Sequence, residues 1–281
     1  MEKLIIITGL LMCGILTSCT EPKKDVEKKV QTTDQINESP KEMLKQAYQL
    51  FKEGDDQESI KLANKVLDIG RETKNDTLIG RALTSLCRNA QRSLDTLRLA
   101  ELSAELKDLS EASRNPQWMM YRAHMNAEMW RLIGNMDRAE MYYNESLKIS
   151  AETGAKGMYT IDHFNKSFVS IAKGDFDTAK ELILKYYALR KEADPASEDA
   201  YGLIALAYYL EQQGNYEGAL EVAVVTRRLF EEQHLFPEPP DEKPLLAVEK
   251  KVQEMVTQEK STEIKANSVS LTVANLLEKY L

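Results

Sequence analysis

YLEQQGNYEGALEVAVV, residues 209–225, holds the pattern on which the fold turns. An amphipathic run reaches Gly214-Asn215, and the glycine or its polar neighbour ends that helix and turns the chain. Two residues after the glycine stands a bulky side chain, Tyr216, suited to plugging the gap between adjacent hairpins. Five residues after it stands a small one, Ala219, which lets a second helix approach the first closely. A second amphipathic run follows, so the stretch reads as helix, tight turn, helix.

The same arrangement recurs upstream. It is clear in WRLIGNMDRAEMYYNESL, residues 130–147, and the triplets Gly54-Asp55-Asp56, Gly134-Asn135-Met136 and Gly174-Asp175-Phe176 repeat it. Glycines at 54, 134, 174 and 214 stand 80, 40 and 40 residues apart. The absent copy falls near 94, where Ser93-Leu94-Asp95 supplies a turn-forming interruption without glycine. Five units of about forty residues therefore cover 41–235. Ser59, Ala139 and Ala179 match Ala219, and Met136 and Phe176 match Tyr216. Helical spacing runs through Ile60, Ala63, Val66 and Leu67 in the first unit, and through Ala179, Leu182, Ile183 and Tyr186 in the fourth.

On these residues the chain resembles the tetratricopeptide-repeat family over roughly two thirds of its length. The resemblance implies an all-α, right-handed solenoid of helix-turn-helix units. The period of forty rather than thirty-four implies longer helices or linkers, and the second unit lacks its glycine. Glu238-Pro239-Pro240 breaks the chain after the last unit. Amphipathic runs over Leu245–Val256 and Ser268–Leu281 are expected to cap the solenoid across 236–281, since a repeat stack needs a polar-faced cover. A dimer face through Leu271, Val273, Leu276 and Leu277 is the competing use of the last run.

Composition agrees. Only 12 glycines and 8 prolines in 281 residues disfavour a turn-rich β architecture, and a net charge of −8 disfavours nucleic acid as a partner.

The N-terminus reads as an address. Leu4–Leu16 is an apolar run too short to span a bilayer, and it suits a signal-peptide core. Leu16-Thr17-Ser18-Cys19 then looks like a bacterial lipobox, which implies cleavage after residue 18 and a lipid anchor at Cys19. Residues 19–40 carry few large apolar side chains and are expected to be a flexible tether. Thr20 in place of aspartate implies delivery to the outer membrane of a cell envelope. Cys87 lies in an apolar helical context and is expected to be a buried small side chain.

No catalytic constellation stands out, so a binding protein is expected rather than an enzyme, with no cofactor. His124, His163 and His234 lack metal-ligand partners at helical spacing, so no metal site is expected. Gly154-Ala155-Lys156-Gly157 lacks the context of a phosphate-binding loop and reads as a turn between units. In the repeat family the first helix of each unit lines a concave groove. Counting back from the turns, the resemblance implies groove positions at Asn89, Arg92, Tyr121, His124, Glu128, Arg131, Phe164, Phe168, Tyr201, Ile204 and Tyr208. This mixture of aromatic and charged side chains suits a protein or peptide partner. The expected role is a membrane-anchored interaction scaffold of the bacterial envelope. Stacking of Tyr121, Phe164, Phe168 and Tyr201 on sugar rings, or a sensory module acting through a partner, are the alternatives.

Overall fold

The computed structural model describes residues 38–281. The signal segment 1–18, Cys19 and nearly all of the tether lie outside the described residues. Thirteen α-helices and one 3-10 turn follow in order, with no strand among the described residues. They are α1 Pro40–Glu53, α2 Asp56–Glu72, α3 Asp76–Arg92, α4 Thr96–Ser113, α5 Pro116–Ile133, α6 Met136–Thr153 and α7 Lys156–Ala172. Then come α8 Phe176–Ala193, α9 Ala200–Gln212, α10 Tyr216–Glu232, α11 Pro239–Met255, α12 Gln258–Asn267 and, after the 3-10 turn Ser268–Ser270, α13 Val273–Tyr280. From α1 to α11 each helix packs on its sequence neighbours, which makes a solenoid of helix hairpins, and α12 packs back on α10.

The turns explain the regularity. A left-handed residue occurs at 54, 74, 94, 114, 134, 154, 174, 214 and 234, so the chain turns every twenty residues and completes a hairpin every forty. Five of these are glycines, while Lys74, Leu94, Arg114 and His234 take the same conformation with side chains. Leu94, at φ 57°, fills the place of the glycine missing from the second unit. The next residue is usually Asp or Asn and caps the new helix: Asp55 accepts from Glu58 N at 3.2 Å, Asp95 from Arg98 N at 2.9 Å and Asn135 from Arg138 N at 3.1 Å. Gly154 turns and Ala155 opens α7, as expected for a turn between units.

The expected small residues sit where two helices press together. Ser59, Ala139, Ala179 and Ala219 are all fully buried. Gly80 is a further close approach, because a Cβ there would stand 2.6 Å from the Trp118 ring. Cys87 is also fully buried, and burial pushes its thiol up to about 12, so it is packing rather than a nucleophile. Ile60 departs from its assigned stripe and is 38% exposed.

The C-terminal region differs from expectation in its elements. The anticipated run at 245–256 is the later part of α11, which Pro239 and Pro240 start in its first turn. Helix α12 was not anticipated, because only Ile264 of QEKSTEIKAN is buried and no apolar period marks it. The run at 268–281 divides into the 3-10 turn and α13. Val273 and Leu276 join the core of α9 and α10, so this chain covers its own last hydrophobic face.

Candidate functional site

The odd-numbered helices, with Tyr186 and Arg190 of α8, enclose a concave chamber of about 560 Å³. Its wall takes Tyr48 and Phe51 from α1, Arg88 and Gln91 from α3, His124 from α5, Ile161 and Phe164 from α7, Tyr201 from α9 and Pro240 and Asp241 from α11. Arg88 also borders two neighbouring depressions of about 290 and 640 Å³ that share Tyr121. One stripe of the repeat dominates this face. Arg81, Tyr121, Ile161, Tyr201 and Asp241 recur at intervals of forty and are exposed or half-buried.

One turn further along each helix the side chains enter the seam between helices. Thr84, His124, Phe164 and Ile204 occupy that second column, and all are buried. This corrects the expected groove. Tyr121, Tyr201 and Tyr208 are partly accessible, as are Arg92 and Arg131 to a smaller degree. Asn89, His124, Glu128, Phe164, Phe168 and Ile204 are buried, with Glu128 and Ile204 at 0%. The adjacent first helices close over these positions, so the open stripe is narrower than a whole helix face. Among the buried six, His124 and Phe164 still contribute an edge to the chamber wall. Phe168 instead stacks on Tyr208 with centroids 6.1 Å apart, and Asn89 Nδ2 donates to Ser59 Oγ at 3.2 Å.

Beneath the stripe lies a charged cluster that the sequence reading did not assemble. Glu128 accepts from Arg131 at 2.7 Å, from Gln91 at 2.7 Å and from the Tyr143 hydroxyl. His124 Nδ1 lies 2.6 Å from Asp162 Oδ1. Burial opposes ionisation of Glu128, yet Arg131 and His124 hold its carboxyl below the usual range. Burial likewise opposes a charge on His124, but Asp162 prevails and the imidazole is shifted upward. His124 and Asp162 stand 38 residues apart, and Gln91 and Glu128 37. Complementary pairs near one repeat period are the signal that would have found them. No group of three or more metal-ligating side chains occurs among the described residues.

The chamber is bridged in cis. Arg92 of α3 reaches Asp56 at 3.0 Å, the Phe51 carbonyl, and Glu238 at 3.1 Å, although Glu238 is 146 residues away. Its guanidinium also lies 3.4 Å from the Phe51 ring centroid. The Tyr201 hydroxyl donates to the Phe236 carbonyl at 3.2 Å. Pro240 is buried, and Asp241 lines the chamber beside it. Burial first, then Glu128 and Glu238, push the Asp241 carboxyl up to about 7.

A larger depression, about 840 Å³, lies between α10, α11 and α12. Its arginines are already paired: Arg227 with Glu242 and Glu249, and Arg228 with Glu232. The chamber therefore holds the less committed chemistry, since Arg88 has no carboxylate at ion-pair distance among the described residues and lies over the Tyr48 ring at 5.5 Å.

The hairpin stack, the twenty-residue turn spacing and the concave face together decide the fold. It is a tetratricopeptide-like helical repeat. The chain is similar to the apo form of RapI, at 14% identity and a TM-score of 0.55 over 85% of this chain and 99% of that one. It is also similar to BtubC from P. vanneervenii, at 16% identity and a TM-score of 0.49 over 83% and 94% of the two chains. In sequence it matches tetratricopeptide repeat protein 21A of Mus musculus, at 30% identity over 148 residues. That match takes in 50% of this chain and 10% of the mouse protein, so the chain spans a small part of that relative. No family model matches.

Proposed function

We propose that this chain is a protein-interaction scaffold whose concave chamber receives a short segment of a partner protein, and that a lipid on Cys19 holds it at a bacterial envelope membrane. The observation that carries the first part is an open stripe in which Ile161 and Tyr201 line a preformed chamber and Arg81 and Tyr121 line the adjoining depression. Aromatic and arginine side chains bury much area with few rotamers to freeze, and a frame that is already ordered loses little entropy on binding. Folds of this kind generally serve as interaction scaffolds, which agrees with that reading. The second part rests on Leu16-Thr17-Ser18-Cys19 after an apolar run, and outer-membrane delivery on Thr20.

The test is crosslinking in the source cells, with photo-reactive residues at Tyr121, Ile161 and Tyr201 and a control at Leu97, which is 73% exposed on α4. The same specific protein captured from the three stripe positions and not from Leu97 is the expected result. Equal capture from Leu97 removes the reading. Separately, Cys19→Ala is expected to move the protein from membranes to the soluble fraction, and retention on membranes removes the anchor.

A further inference from the structure

The segment that bridges the chamber has the composition of a ligand. We propose that Glu238-Pro239-Pro240-Asp241 is an intramolecular stand-in for the partner, and that the partner presents an acidic, proline-bounded segment to the same arginines. This deepens the scaffold reading above and rests on it.

Three observations carry it. The first is charge complementarity. The chamber side supplies Arg92 and the uncommitted Arg88, and the segment supplies Glu238, which pairs with Arg92 at 3.1 Å, and Asp241 on the chamber wall. The second is shape. Pro240 is the buried member of the segment, which seats a rigid, pre-ordered turn in the chamber wall.

The third is that the segment can leave without dismantling the fold. Helix α11 is held by Leu245, Val248 and Val252, all beyond the segment in sequence and all in the α9–α10 core. Upstream, Leu235 and Phe236 are 40% and 84% exposed, so releasing them uncovers no core. The polar contacts that hold it in place are few: Arg92 on Glu238 at 3.1 Å and the Tyr201 hydroxyl on the Phe236 carbonyl at 3.2 Å. A segment held in cis acts at an effective concentration in the mM range, on the order of that for a short linker. A partner segment must exceed that competition, which makes the closed chain a poor binder until the segment is displaced.

The experiment uses a fluorescein-labelled synthetic peptide of residues 234–243, HLFPEPPDEK, titrated by anisotropy into the mature chain. A scrambled peptide serves as control. The wild-type chain should bind weakly. The Glu238→Ala/Asp241→Asn chain should bind at least tenfold more tightly, and Arg92→Ala added to it should lose that gain. Circular dichroism establishes that each variant keeps its helices. Equal affinity for wild type and the double variant, or no binding to a folded double variant, overturns the proposal. A second measurement needs no variant. Excess peptide should raise hydrogen exchange in wild type at residues 236–243 and leave α13 unchanged, and no change at 236–243 also overturns it. Peptide binding without any cellular capture from the stripe would sink the scaffold reading and leave the cis segment standing, and the reverse pair of results would do the opposite.

Discussion

The hairpin α5–α6 and the hairpin α9–α10 share one backbone plan and differ in what fills the seam. His124 in the first corresponds to Ile204 in the second, and Glu128 corresponds to Tyr208, each eighty residues or two repeats on. In α5 the seam carries Glu128, Arg131 and His124 in a buried charge cluster that extends to Asp162 and Tyr143. In α9 it carries Leu203, Ile204, Leu206 and Leu210, continuous with a core that runs to α13. A repeat fold needs only that each seam exclude water, and the apolar version does that with less desolvation of charge. The charged version lies directly under the chamber, which is where a fixed pattern of charges selects a partner.

That contrast is open to test, beginning with the largest effect. Glu128→Ala leaves Arg131 buried without its carboxylate and is expected to destabilise by about 3–5 kcal/mol in urea unfolding. Replacing both ions by apolar residues of similar size, Glu128→Leu with Arg131→Met, is expected to be neutral or stabilising by up to about 4 kcal/mol. If the double variant is as unstable as the single one, the cluster is structural and the comparison fails. Ile204→Ala in the apolar seam is expected to cost about 2–4 kcal/mol through the cavity it leaves.

A smaller effect concerns pH. His124 and Asp241 both have folded-state pKa values above their unfolded ones, His124 through Asp162 acting against burial and Asp241 chiefly through burial itself. Each therefore adds stability that is fully present below its unfolded pKa and is lost as pH rises through the folded value. For Asp241 that window runs from its ordinary 3.8 up to about 7. His163 contributes the opposite slope, since burial pushes it down. The informative quantity is thus the difference between wild type and Asp241→Asn. It should grow in favour of the variant from about pH 4 to 7 in urea midpoints and level off above that, and a flat difference would remove the raised pKa of Asp241.

The smallest effect is in the turns. Leu94 holds a left-handed conformation that glycine takes without strain, so Leu94→Gly is expected to stabilise by roughly 0.5–1 kcal/mol, and Gly134→Ala to destabilise by about 1 kcal/mol. Equal and opposite behaviour at the two sites would show that the missing glycine of the second unit is only a local strain.

The turn chemistry was legible because it is local. A turn glycine and a small residue five positions past it need no knowledge of neighbours, and both reappear in space, whereas the polar residue after the glycine was read as ending one helix and in fact caps the next. The chamber was legible only in part. Counting back from a turn locates a helix face, but it does not say how far the adjacent helices close over it, which is why Ile204 and Glu128 were placed in an open groove. Arg81, Ile161 and Asp241 were missed although they share a forty-residue register with Tyr121 and Tyr201. The bridge from Arg92 to Glu238 depends on how far the whole stack curves, and no short stretch of sequence encodes that. Helix α12 left no apolar period to read.

The most direct measurement is a cysteine scan in a Cys87→Ser chain, comparing maleimide labelling at 81, 121, 161 and 201 with labelling at 84, 124, 164 and 204. The first column should react at least tenfold faster than the second at every repeat, and added partner should protect the first column alone. Equal rates in the two columns, or protection of the second, would contradict the assignment of the open stripe to the chamber.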